Sequence, residues 1–227
     1  MITIGLVTTF IFIVELFFLF LLSRGISTSV SSILYKLSKS QSFTVSGLAV
    51  LFLPGTVVHE LSHILVAGVL MVPVGEMEFM PQIHGNEVKL GSAQIGLTDP
   101  FRRAIIGMAP LLVGTAIILS VLWLFSSFDN IYLKIITLFM VFEIGNTMFS
   151  SKKDSEGLYA LLLALGLVAI LVWGVLFFLH IQIPYALIAS QIFNESYNNF
   201  LRMGIAFLGV PIGIDLVIYL LAKMIVR

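Results

Sequence analysis

Twenty residues from Thr3 to Leu22 carry one ionisable side chain, Glu15, and five further apolar stretches of comparable length follow it. A helix of roughly 20 mostly apolar residues crosses the hydrocarbon core of a bilayer, and a helix satisfies its own backbone there without water. The stretches lie at about 3–22, 46–72, 102–125, 131–149, 157–180 and 200–225. They predict an all-α polytopic membrane protein of about six transmembrane helices. Composition agrees, since 59% of the 227 residues are apolar and only 11% are charged. Twelve basic residues balance twelve acidic ones, so the chain has no electrostatic footprint for nucleic acid. With no cysteine, thiolate metal sites and disulfides are excluded, and any metal must sit on His, Asp or Glu.

The segments between the stretches differ in character. Residues 24–42 are Ser-rich and carry Arg24, Lys36 and Lys39, with Ile33, Leu34 and Leu37 suggesting a short interfacial amphipathic turn. After Pro73 the periodicity changes to alternation: Met77, Phe79, Ile83, Val88, Leu90 and Ile95 alternate with polar residues around His84-Gly85-Asn86. This predicts a β-hairpin over 75–97. We read residues 1–227 as a single membrane domain. In it, 1–42 form a first span and basic connector, 43–180 a core, and 200–227 an additional C-terminal span. Lys89, Arg102, Arg103, Lys152, Lys153, Lys223 and Arg227 fall on one side, against Arg24, Lys36 and Lys39 on the other. The positive-inside rule then puts both termini in the cytoplasm.

The second stretch contains His59-Glu60-Leu61-Ser62-His63. Residues four apart share a helix face, so His59 and His63 can offer two imidazole nitrogens to one ion, with Glu60 beside them as a general base. Catalytic zinc takes three protein ligands and lowers the pKa of water in its fourth position. Ionisable groups at hydrocarbon depth face a polar cavity or one another. The bland alternative is three polar residues satisfied by neighbouring helices. Pro54-Gly55, about one turn earlier, can loosen the backbone near the motif.

A third ligand is needed, and the carboxylates at or near spans are Glu15, Glu143, Asp154, Glu156 and Asp215. Asp154 follows the polar break Ser150–Lys153 and opens the fifth stretch; the same position suits an ordinary helix N-cap. Glu143, one turn before Asn146, either lines the same cavity or bonds a neighbouring helix. Glu15 and Asp215 are lone acids, read as structural partners or snorkelling groups. His84 and His180 are expected to be exposed, and Met71, Met77 and Met80 to serve as packing.

HExxH in an apolar helix, followed by Asn146 and, eight residues on, Asp154, resembles the site-2 protease family of intramembrane zinc metalloproteases. The family pairs HExxH with an Asn-x-x-Pro-x-x-x-x-Asp-Gly type motif. Here Phe149 stands at the proline position and Ser155 at the glycine. The resemblance spans roughly 45–175 and includes HELSHILVAGVLMVPV and Phe101–Pro110. It implies Zn2+ held by His59, His63 and Asp154, Glu60 as base, Asn146 as a substrate-binding residue, and membrane-protein segments as substrates. Two alternative readings are a non-catalytic scaffold of the same kind, and a metal or proton transporter.

Overall fold

The structure, a computed structural model, describes residues 2–78, 82–84, 87–89, 92–125, 129–149, 152–180 and 184–226, without the side chains of 77–93, 152–162, 185 and 226. Its first helix, α1 (Ile2–Ser38), runs 37 residues and absorbs most of the expected connector. The Ser and Thr residues that suggested a break instead bond back into their own helix. Thr28 Oγ1 donates to the Arg24 carbonyl, Ser32 Oγ to Thr28 and Ser38 Oγ to Leu34. Such i−4 bonds satisfy a hydroxyl without leaving the helix, and this stretch has no proline to stop it. The helix ends where Lys39 adopts φ 52° and Ser40 caps the next one.

The HELSH stretch is two helices rather than one. α2 (Gln41–Leu51) and α3 (Leu53–Val69) meet at Phe52 with a bend of 67°. Pro54 explains the break: in a continuous helix its ring would clash with the carbonyl four residues earlier, and at the start of α3 its missing N–H costs nothing. α3 closes with Met71 in the left-handed region (φ 55°) and Val72 N–H on the Ala67 carbonyl, just before Pro73.

The β element follows as two antiparallel pairs. β1 (Val74–Glu78) pairs with β4 (Ser92–Ile95), and β2 (Gln82–His84) pairs with β3 (Glu87–Lys89). Val74 faces Ile95 and His84 faces Glu87, so the second pair nests within the first. Then come α4 (Pro100–Phe125), α5 (Ile131–Thr147), α6 (Lys152–Phe178), a short α7 (Tyr185–Ile192) and α8 (Glu195–Val226). Asp99 caps α4 by accepting the Phe101 and Arg102 N–H groups at 3.0 Å each. Chiefly the Arg102 N–H holds that carboxyl below its usual range.

Among the described residues, three helices are long and apolar enough to cross a membrane: α1, α4 and α8. The bent pair α2–α3 brings the number to four if it is one broken span rather than a re-entrant loop. α5, at 17 residues, is shorter than a full span. The architecture is thus mostly helical with a small strand element, and its long apolar helices are compatible with an integral membrane protein.

α1 and α8 pack against each other and into the core. Leu19 of α1 and Leu208 of α8 share one buried cluster with Ile118 and Leu122 of α4 and Val141 and Ile144 of α5. A second cluster joins Ile26, Phe52 and Phe142, with Ile214 and Ile218 of α8 against it. The Phe52 and Phe142 rings stack at 6.2 Å, which pins the α2–α3 bend to α5.

Gly55 sets the closest approach in this core. A Cβ there would lie 2.5 Å from the Glu143 carbonyl oxygen and against Thr147 Oγ1, so no methyl fits without moving α5. Gly68, in the same helix, has nothing within 4 Å of such an atom. Gly55→Ala is therefore expected to destabilise the fold by about 1–3 kcal/mol, while Gly68→Ala leaves it unchanged or slightly firmer. Thermal unfolding in detergent checks this, and equal midpoints for the two variants would contradict the close contact.

Candidate metal centre

α3 buries one face and exposes the other. Glu60, Ser62 and His63 are buried, whereas Leu61, Leu65 and Val69 point outward. His59 and His63, one turn apart, bring their Nε2 atoms to 3.2 Å with ring planes at 79°. The opposite nitrogen of each ring meets a backbone carbonyl. His59 Nδ1 is 2.6 Å from the Thr147 oxygen, and His63 Nδ1 is 2.8 Å from the Ile106 oxygen. A carbonyl only accepts, so each Nδ1 carries a proton, and the two Nε2 atoms face each other at a distance that suits one shared hydrogen or one bridging cation.

Both carbonyls are available for a physical reason. Thr147 is the last residue of α5, and the last four carbonyls of a helix have no partner inside it. Ile106 lies within α4, where its natural partner would be the N–H of residue 110. That residue is Pro110, which has none. The two acceptors that orient the histidines are thus one helix end and one proline gap. Pairing a ligand's outer nitrogen with a carbonyl fixes its tautomer and ring direction, as metal-bound histidines commonly require.

Two imidazoles on one zinc, at about 2.0–2.1 Å each and a near-tetrahedral angle, hold their nitrogens about 3.3 Å apart. The His59–His63 pair fits that requirement. Among the described residues no group of three His, Cys, Asp or Glu side chains is gathered as a metal site. The Asp154 side chain lies outside those residues. Its backbone is in the first turn of α6, and α6 packs along α4, which in turn packs along α3.

Asn146 sits one residue before the carbonyl that holds His59. Its Nδ2 donates to the Phe142 carbonyl and to Asp215 Oδ1 on α8, both at 2.9 Å, while its Oδ1 is buried and has no hydrogen-bond partner among the described residues. Asp215 is completely buried. This acid was read from sequence as a lone structural partner or a snorkelling group. Burial removes the snorkelling option, because the side chain reaches the core next to α5. Glu143 is also fully buried, and neither carboxyl oxygen has a hydrogen-bond partner among the described residues. His180 is exposed, as expected, in the left-handed conformation after α6. The His84 side chain lies outside the described residues.

Sequence reasoning located both histidines but neither of their carbonyl partners. Pro110 was a usable signal, because a proline inside an apolar helix announces a free carbonyl four residues earlier. The Thr147 carbonyl was signalled only by the polar break that ends α5. Comparison with protein-family models, curated proteins and solved structures found no match.

Replacing Pro110 by Ala restores an N–H aimed at the Ile106 oxygen, which His63 would then have to share. The His63 Nδ1 proton, observed by NMR on histidine-labelled protein, is expected to move upfield as its bond weakens, with the His59 Nδ1 proton unmoved. An unmoved His63 proton would show that the proline gap does not reserve this carbonyl.

Proposed function

We propose that the protein is an intramembrane zinc metalloprotease of the site-2 protease type, with about six spans, that hydrolyses peptide bonds of transmembrane or membrane-proximal segments. The observation that carries this reading is the pair of Nε2 atoms converging at 3.2 Å while both Nδ1 atoms are tied to backbone carbonyls. Asp154, at the start of α6, supplies the third ligand in this reading.

Zinc held by these residues would acidify water and polarise the scissile carbonyl. Glu60, buried one residue from His59 on the same helix, takes the proton of the attacking water. The water oxygen bonds to the carbonyl carbon, the C–N bond breaks, and Glu60 returns the proton to the leaving amine. The Thr147 and Ile106 carbonyls keep both rings aimed throughout. A buried carboxylate beside the two histidines supports hydrolysis over a passive scaffold, which needs no base there. Substrates reach a site at this depth by entering the bilayer and unwinding locally. Among the described residues the outer edges of the β1–β4 pair take no further strand, which suits an extended segment adding by backbone hydrogen bonds.

Purified wild type is expected to carry about one zinc per chain, and His59→Ala, His63→Ala and Asp154→Ala to lose it. Glu60→Gln should keep the zinc yet cleave a membrane-segment substrate about 10²–10⁴-fold more slowly. Full zinc in Asp154→Ala would remove that residue from the ligand set. Normal cleavage by Glu60→Gln would refute the assigned base, and metal flux through vesicles without cleavage would favour a transporter.

A further inference from the structure

We infer that Asp215 on α8 is a positioning residue for the metal centre, acting through Asn146 and the last turn of α5 on the direction of the His59 ring. The inference rests on the metalloprotease reading for its purpose, but its geometry stands on contacts already described. Asp215 Oδ1 accepts Asn146 Nδ2 at 2.9 Å, and the next carbonyl along the chain, that of Thr147, accepts His59 Nδ1 at 2.6 Å.

A helix's last turn is its least constrained part, because its carbonyls lack intrahelical partners and tend to fray. Here that turn is held from two sides. α3 closes on it at Gly55, whose hydrogens lie against the Glu143 carbonyl and Thr147 Oγ1. α8 closes on it at Pro211, whose Cβ would come within 3.3 Å of a Cβ on Gly145, and at Asp215. Within the turn, Asn146 Nδ2 and Thr147 Oγ1 occupy the carbonyls of Phe142 and Glu143. The Thr147 carbonyl is left for His59.

Asp215 performs a second task by the same bond. Both hydrogens of the Asn146 amide are engaged, one by Phe142 and one by Asp215, so the amide cannot flip. Its Oδ1 is thereby fixed as a buried acceptor, without a partner among the described residues. A full-length apolar helix, outside the stretch that carries the family resemblance, would then set the metal geometry.

The test uses the full-length protein in detergent. Asp215→Ala is expected to weaken zinc affinity about tenfold in competition with a chelator, the lower end of the range for outer partners of metal ligands. It should also shift the visible absorption of the cobalt-substituted protein and move the His59 Nδ1 proton upfield, with the His63 proton unmoved. Asp215→Asn, which retains an acceptor oxygen, should restore all three towards wild type. Leu201→Ala, which removes a buried α8 side chain outside the cluster that holds Ile144, should leave them unchanged. Wild-type affinity and an unmoved His59 proton in Asp215→Ala would overturn the inference, as would an equal effect from Leu201→Ala. If wild type binds no zinc, the metalloprotease reading fails by itself, and the His59 proton in the metal-free protein still decides whether Asp215 positions that ring.

Discussion

Two backbone carbonyls without helical partners govern the arrangement of this protein's polar core. A buried carbonyl left unpaired costs on the order of 1–3 kcal/mol. Ile106 and Thr147 escape it by accepting the Nδ1 protons of His63 and His59. Satisfying the backbone and aiming the imidazoles are therefore one interaction. The 3.2 Å approach of the two Nε2 atoms follows from where α4 and α5 present those oxygens.

Much of the remaining packing can be understood as holding those two oxygens still. The α2–α3 bend at Phe52 lets α3 lie against α4 and α5 together, and the Phe52–Phe142 stack fixes its angle. Gly55 allows α3 to touch the α5 backbone where it carries Thr147. On the far side α8 meets the same turn through Pro211 and Asp215. α1 supports α8 along its length, contributing Leu19 to the cluster that includes Leu208 and Ile144. Chain segments outside the motif stretch thus belong to the same core as the histidines.

The legible part of this arrangement was what local chemistry dictates. Apolar runs gave most helices, the alternation after Pro73 gave the strands, and the i,i+4 spacing put His59 and His63 on one face. The less legible part was tertiary. The Ser-rich stretch after Leu22 looked like a connector because hydroxyls often compete with helix hydrogen bonds, yet back-bonding to i−4 carbonyls let α1 continue to Ser38. One stretch became two helices because Pro54 forbids continuity. Asp215 gave no local sign of its partner, since Asn146 lies 69 residues away. Pro110 did carry information, through an N–H it lacks.

In the proposed reading, His59 and His63 together hold one zinc through Nε2. X-ray absorption at the zinc edge of the purified wild-type protein tests it most directly. Two imidazole nitrogens are expected among N and O donors at about 2.0–2.1 Å, with no sulfur, since the chain has no cysteine. A protein without zinc, or a zinc site with fewer than two imidazoles, would contradict it.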